Sequence, residues 1–229
     1  MAKPLDLEEQ EQLDDIKHFW KQYGNPITWV LIVVLAGVAS WNGWNYWQRS
    51  QASQASALFD EVERAIQSGE IARVERAVAD IRDKYGATTF AQQAQLLGAR
   101  FLTENGKPDV ARDALVWVAD KAKDEGYQAV ARLRLAAVLL DAKQYDAALT
   151  RLSAPFPPAF KGLADDRRGD VLAAQGKNAE ALAAYQAAYA GLDARSEYRR
   201  MVEVKLNALG VDPQASAKPA VSAAPNEVK

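Results

Sequence analysis

A stretch of fifteen residues recurs further along the chain. Residues 135–149 match residues 168–182 with an offset of 33 throughout. The matched pairs are Ala136 and Gly169, Leu139 and Leu172, Ala148 and Ala181, and Leu149 and Leu182. An offset near 34 is typical of a unit of two antiparallel helices, in which small residues stand where the helices approach closely. The sequence therefore predicts an all-α fold built from helix pairs.

Two less regular units precede this pair of repeats. The first begins at about Gln54, turns at residues 68–69 and ends near residues 85–86. The second begins at residues 97–101 and turns at residues 105–108, where glycine and proline interrupt the helical pattern. One helix pair cannot bury its apolar face alone, whereas stacked pairs share a continuous core. We therefore expect a tetratricopeptide-like α-solenoid of about four helix pairs.

Such an array must end in a helix with a polar outer face. Residues 197–209 suit this role as a C-terminal capping helix. The apolar side chains of this helix include Met201, Val204 and Leu209. The sequence that follows contains three prolines among small residues, a composition typical of disorder. We expect the repeat domain to cover residues 49–209 and a disordered tail to cover residues 210–229.

Residues 27–47 carry no charge, and tryptophans alternate with small polar residues in their second half. A bilayer core needs about 20 apolar residues of helix, and aromatic side chains are enriched at both of its surfaces. This stretch therefore predicts a single transmembrane helix over residues 26–48 that contacts the lipid bilayer. A cleaved signal peptide and a core helix of a soluble protein remain alternatives. The acidic residues 1–26 differ from the short basic start of a signal peptide.

Few charges bear on the orientation of this span. Lys17 and Lys21 precede it, whereas only Arg49 follows it closely. Because basic residues favour the cytoplasmic side, we expect a cytoplasmic N-terminus and the large domain on the other side. Residues 1–25 form an acidic amphipathic segment. Its apolar residues at helical spacing are Leu13, Ile16, Trp20 and Tyr23. This face fits a helix on the bilayer surface, and a docking helix for a cytoplasmic partner is the alternative.

The sequence offers little for catalysis. It has no cysteine, and its one histidine, His18, precedes the predicted span. Asp165 and Asp166 are adjacent and point in different directions on a helix, so we interpret them as acids near the positive end of a helix start. The sequence has no glycine-rich phosphate loop and no metal-ligand spacing. We expect no enzymatic activity, no cofactor and no metal. With a net charge of −2, we also expect no nucleic-acid partner.

The inner face of a helix-pair array is its usual binding surface. By the register of the repeats, we expect ten residues from three helices to line a partner-binding groove. These are Gln92, Gln95, Ala99, Val130, Leu133, Ala137, Leu140, Asp166, Asp170 and Ala173. The groove would be apolar in the middle and polar to acidic at its ends. Tetratricopeptide proteins that clamp carboxylates carry lysine and asparagine where Leu133 and Ala137 stand, so unfolded or hydrophobic segments fit this groove better.

Five stretches spread along the chain match a known family. They are residues 16–20, 43–47, 133–136, 166–170 and 204–209. The segments also follow a specific order, with an acidic lead, one anchor, four repeats and a capping helix. In both respects the chain resembles the YfgM family of bacterial inner-membrane proteins, which are described as ancillary subunits of the SecYEG translocon.

The resemblance implies a bacterial inner-membrane protein with a cytoplasmic N-terminus and a periplasmic repeat domain. It implies association with SecYEG, with the membrane-anchored periplasmic chaperone PpiD and with secreted client proteins. The implied role is to help pass newly translocated proteins to periplasmic chaperones, without catalysis. The alternatives are a scaffold for another envelope complex and a regulator of an envelope stress response.

Overall fold

The computed structural model describes residues 7–213, with side chains from Gln12 onward. It divides into two compact units, and the division falls between Gln54 and Ala55. Within the described residues the chain forms nine α-helices and no strand. The prediction of an all-α fold is therefore confirmed. Most of the predicted tail, residues 214–229, lies outside the described residues.

The first unit contains the N-terminal part of α1 (Leu7–Ser68). Its apolar side chains are exposed, with Trp29 at 66% and Trp41 at 68% of their full accessible surface. The helix is long and apolar enough to cross a membrane, and none of its most apolar stretch is buried. An apolar surface of this size is unfavourable in water and favourable in lipid. The helical character of the anchor is as expected, and its limits at residues 26–48 stay a prediction.

Aromatic pairs flank the aliphatic stretch of α1. The rings of Phe19 and Tyr23 lie 5.1 Å apart, and those of Trp44 and Trp47 lie 5.2 Å apart. Rings with an apolar body and a polar edge favour the two surfaces of a bilayer. The spacing of the two pairs therefore fits a helix that spans the membrane between them.

The second unit consists of the end of α1 and eight shorter helices. These are α2 (Ile71–Tyr85), α3 (Thr89–Glu104), α4 (Pro108–Lys121), α5 (Glu125–Asp141), α6 (Tyr145–Ser153), α7 (Pro158–Ala174), α8 (Asn178–Gly191) and α9 (Glu197–Ala208). They form four helix pairs followed by the single helix α9. The predicted solenoid of about four pairs with a C-terminal capping helix is confirmed.

Each helix pair turns at a residue with a left-handed backbone. Gly69, Gly106 and Gly176 have φ values of 72°, 75° and 77°, and Lys143 takes the same place in the third pair with φ 58°. In the last three turns, the amide of the next residue donates to a carbonyl five residues earlier, at 2.8 to 3.0 Å. This bond closes the end of the first helix, and the turn reverses the chain.

Small residues stand where neighbouring helices approach each other, within a pair or between successive pairs. A Cβ atom added at Gly169 of α7 would overlap the ring of Tyr185 on α8, and one added at Gly98 of α3 would overlap Val78 on α2. The corresponding position in the third pair, Ala136, is fully buried. The recurrence of small residues at this position is therefore a packing requirement, because a larger side chain would separate the two helices.

The capping helix α9 buries one of its two apolar faces. Val202 and Leu206 are fully buried, whereas Met201 is 57% and Val204 is 67% exposed. Leu209 is half-buried against the same core as predicted. Residues 202, 206 and 209 share one face at helical spacing, and this face packs on α8. Because α9 carries apolar residues on two faces, periodicity alone does not select the face that is buried.

Candidate functional site

The ten residues expected in the groove lie on three helices, α3, α5 and α7. Four of them have almost no accessible surface, namely Gln92, Gln95, Ala99 and Asp166. The other six are half-buried, namely Val130, Leu133, Ala137, Leu140, Asp170 and Ala173. A partner can contact only residues with accessible surface, so six of the ten predicted residues remain candidates. Their role in binding stays a prediction.

Gln95 illustrates why a predicted groove residue is buried. Its amide Nε2 donates a 2.6 Å hydrogen bond to the carbonyl oxygen of Val78 on α2. The residue is completely buried between the two helices. A buried polar side chain with a backbone partner fixes the packing of α3 on α2 and offers nothing to a ligand.

A pocket of about 240 Å³ opens between α5, α7 and α9. We call it the α5–α7–α9 pocket, and its lining residues are Val130, Leu133, Arg134, Phe160, Leu163, Arg167 and Tyr198. Four of these side chains, Val130, Leu133, Phe160 and Leu163, are aliphatic or aromatic hydrocarbons, and each is half-buried. The structure therefore brings together Val130 and Leu133 as the apolar middle of the predicted groove.

A second pocket of about 390 Å³ lies beside α3 and α5. It is lined by Ala99, Arg100, Thr103, Glu104, Leu115, Arg134, Ala137, Val138 and Asp141. Ala99 contributes little to its surface, since it is only 1% exposed. The predicted residues Leu140, Asp170 and Ala173 line neither of these two pockets. Arg134 lines both, so it marks their common boundary.

Sequence reasoning missed Arg134, Phe160, Leu163, Arg167 and Tyr198. A signal for most of them was present in the helical spacing. On α5, Arg134 follows Val130 by four residues, and on α7, Phe160, Leu163 and Arg167 also share one face. Only the position of Tyr198 depends on how α9 packs, because it belongs to a helix without an internal repeat.

The guanidinium of Arg134 has no carboxylate within ion-pair distance in the described part of the chain. Its Nη1 atom donates a 2.9 Å hydrogen bond to the carbonyl oxygen of Leu96 on α3. Partial burial, and to a smaller extent the nearby positive charge of Arg100, lower the pKa of Arg134. Both effects disfavour the charged form of the guanidinium, whereas a negatively charged ligand nearby would favour it.

The acids at the end of the predicted groove are already paired. Asp165 and Asp166 lie in the middle of α7 and are buried, so their interpretation as acids at a helix start was wrong. Asp165 pairs with Arg168 at 2.9 Å. Each carboxylate has a basic partner: Arg168 on the same helix for Asp165, and the distant Lys205 of α9 for Asp166.

Asp170 is likewise engaged within the domain. It accepts a hydrogen bond from Tyr185 at 2.9 Å and forms an ion pair with Arg167 at 3.3 Å. Burial and the charge of Asp170 raise the pKa of Tyr185, so its hydroxyl stays protonated and donates. The negative charges at the expected acidic end of the groove are therefore already paired with basic side chains of the domain.

The arrangement suits recognition through apolar contact and a guanidinium. His18 is exposed on α1 in the first unit. Within residues 12–213, no group of three or more histidine, aspartate or glutamate side chains is placed to hold a metal ion. What the pockets provide is an apolar surface beside a positive charge.

Comparisons with known proteins agree with the fold of stacked helix pairs. A family model described as a tetratricopeptide repeat-like domain matches residues 17–211. A Neisseria gonorrhoeae protein named ancillary SecYEG translocon subunit is 34% identical over 204 residues, which cover 89% of this chain and 98% of that protein. An Escherichia coli protein with the same name is 29% identical over 206 residues, which cover 89% of this chain and 97% of that protein. The chain therefore belongs to the YfgM family of tetratricopeptide repeat-like proteins.

Proposed function

We propose that this protein is a membrane-anchored, non-enzymatic binding subunit of the SecYEG translocon. Residues 26–48 span the bacterial inner membrane, residues 1–25 lie in the cytoplasm and residues 49–209 form the periplasmic repeat domain. That domain helps to transfer newly translocated proteins to a PpiD-like periplasmic chaperone. The observation that carries the proposal is the match to proteins named as translocon subunits over 98% of the length of one of them.

The α5–α7–α9 pocket supports the binding role. Val130 and Leu133 of α5 and Phe160 and Leu163 of α7 are half-buried, so each leaves part of its apolar surface accessible in the pocket. A partner that covers this surface gains the free energy of removing it from water. Apolar segments of unfolded secreted proteins have the matching chemistry, because their own cores have not yet formed.

In-cell photo-crosslinking tests the proposal. A photoreactive residue placed at Val130 or Leu163 would lie in the pocket, and one at Asp109, whose side chain is 84% exposed on α4, serves as control. We expect translocon subunits, a periplasmic chaperone or secreted chains at the pocket positions and not at Asp109. Equal labelling at all three positions, or a different envelope complex in the pocket, would contradict the proposal.

A further inference from the structure

Arg134 carries donors that the folded chain leaves unused. A guanidinium has five N–H donors, and the one hydrogen bond that Arg134 makes within the described residues goes to the Leu96 carbonyl. Its neighbours Arg100 and Arg167 each have a carboxylate partner, Glu104 at 2.9 Å and Asp170 at 3.3 Å. Arg134 therefore differs from both neighbours in forming no ion pair with an acid of the described chain.

The charge of Arg134 lies beside an apolar surface that is partly accessible. In the α5–α7–α9 pocket, Arg134 and Arg167 are the charged lining residues, and no aspartate or glutamate lines it. The second pocket is lined by Glu104 and Asp141 as well as by two arginines, and of these only Arg100 forms an ion pair, with Glu104. The α5–α7–α9 pocket therefore combines apolar walls with two basic side chains and no acidic one.

We propose that the α5–α7–α9 pocket selects partner segments in which an aspartate or glutamate is adjacent to a large apolar residue. The apolar side chain enters between α5 and α7, and the carboxylate accepts hydrogen bonds from the free guanidinium edge of Arg134. This inference rests on the proposed function, since it names the ligand chemistry of the same pocket. Arginine is suited to this role because its planar fork matches the two oxygens of a carboxylate.

The inference refines the expectation that the groove takes hydrophobic segments. That expectation depended on Leu133 and Ala137, which replace the polar residues of a carboxylate clamp. Arg134, the next residue along α5, supplies a cation at the edge of the same surface. A wholly apolar segment would cover the pocket and leave this cation less hydrated without a partner, which is unfavourable.

The test compares peptides that differ in one side chain. Fluorescence anisotropy would measure binding to the full chain in detergent micelles, with labelled peptides centred on Leu-Asp-Phe, Leu-Asn-Phe or Leu-Lys-Phe. We expect the aspartate peptide to bind about tenfold more tightly than the asparagine peptide, since a hydrogen bond to a charged group is stronger than a neutral one. The preference should decrease with added salt.

Two substitutions separate a specific contact from a general charge effect. In Arg134→Met the preference for aspartate should disappear, while the asparagine peptide keeps its affinity. The matched control is Arg76→Met, because Arg76 is also exposed and also donates to one backbone carbonyl, that of Ala72. The control should keep the full preference. The comparison of peptides on the unmodified protein does not depend on how the variants fold.

The inference is overturned if the aspartate and asparagine peptides bind the unmodified protein equally, if none of the peptides binds, or if Arg134→Met keeps the preference. Binding that appears only after removal of residues 214–229 would assign the pocket to that segment instead of a partner and would also overturn it. These outcomes are distinct from failure of the proposed function, which crosslinking at Val130 and Leu163 decides independently of the acidic residue.

Discussion

Lys205 of α9 donates hydrogen bonds to both carboxylate oxygens of Asp166 on α7, at 2.8 and 2.9 Å. The side chain of Asp166 is fully buried, and that of Lys205 is 28% exposed. The same ammonium lies 2.6 Å from Asp170, and the hydroxyl of Tyr198 donates to Asp166 at 2.6 Å. These contacts hold the capping helix on the last helix pair and position Tyr198 at the α5–α7–α9 pocket.

We expect Lys205→Met to lower the free energy of unfolding of the repeat domain by about 3 kcal/mol, because it leaves the buried charge of Asp166 without its cation. Thermal unfolding of the full chain in detergent, followed by circular dichroism, measures the effect. Lys107→Met is the control, since Lys107 is half exposed and 3.9 Å from Glu75. Its effect should stay below about 1 kcal/mol. Equal effects of the two substitutions would contradict the importance of the buried pair.

Lys143 offers a stabilising substitution. It has φ 58° at the turn where the other three helix pairs have glycine. A residue with a Cβ atom is strained in this region, so Lys143→Gly should raise the free energy of unfolding by about 0.5–1 kcal/mol. Gly176→Ala makes the reverse change at the next turn and should lower it by about 1 kcal/mol. Both shifts appear in the same melting experiment, and a lower melting temperature for Lys143→Gly would argue against strain at this turn.

Gly169→Ala should destabilise the domain although it places alanine in a helix interior. In a helix interior, replacing glycine by alanine normally raises the free energy of unfolding by about 0.5–1 kcal/mol. At this position the added methyl overlaps the ring of Tyr185, and such overpacking costs about 1–3 kcal/mol. At Gly191, the last residue of α8, an added Cβ meets its nearest atom at 3.6 Å, an ordinary contact. Gly191→Ala should therefore be nearly neutral in chemical denaturation, and a neutral Gly169→Ala would show that α7 and α8 separate easily.

Leu163→Asp should weaken capture of translocon or chaperone partners about tenfold or more. A carboxylate in an apolar contact costs roughly 1–3 kcal/mol when it lacks a hydrogen-bond partner. Val110→Asp places the same group on a 39% exposed valine of α4, away from the pocket, and should bind normally. Quantitative co-purification from membranes measures both, with melting temperatures to verify folding. Unchanged recovery with Leu163→Asp would exclude this pocket as the partner site.

The stability of the domain should decrease at alkaline pH. Burial and hydrogen bonding to Asp166 raise the pKa of Tyr198 above its ordinary value of 10.0. Because the pKa is higher in the folded chain than in the unfolded chain, this contribution is complete below pH 10 and is lost as the pH rises above it. Melting temperature against pH should therefore fall less steeply above pH 10 in Tyr198→Phe than in the unmodified protein. Parallel curves would contradict the assignment.

The positions of the helix pairs could be predicted from local sequence. The offset that aligns Leu139 with Leu172 placed the third and fourth pairs, and glycine marked three of the four turns. Both signals depend on the chain near the residue itself. The turn at Lys143 was recoverable only from the repeat, because its residue type does not favour a left-handed backbone. Membership of the YfgM family was likewise recognisable from short stretches in a fixed order.

The groove could be predicted only in outline. Of the three helices expected to line it, α5 and α7 line the α5–α7–α9 pocket, where Val130 and Leu133 meet, whereas α3 does not and α9 does. Gln95, however, is turned toward Val78 of the preceding helix and is buried. A rotation of a helix by a fraction of a turn decides whether a side chain faces a groove or a neighbouring helix, and repeat register does not determine that rotation.

The sequence by itself determined the all-α architecture, the apolar anchor and the number of helix pairs, because each depends on patterns within one helix or one repeat. Tertiary structure decided which face of α9 is buried, why Asp166 is surrounded by Lys205 and Tyr198, and why Arg134 has no acidic partner. These three features depend on contacts between residues that lie up to 39 positions apart in the sequence. Only the packing of whole helices brings such residues within hydrogen-bonding distance or leaves one of them without a partner.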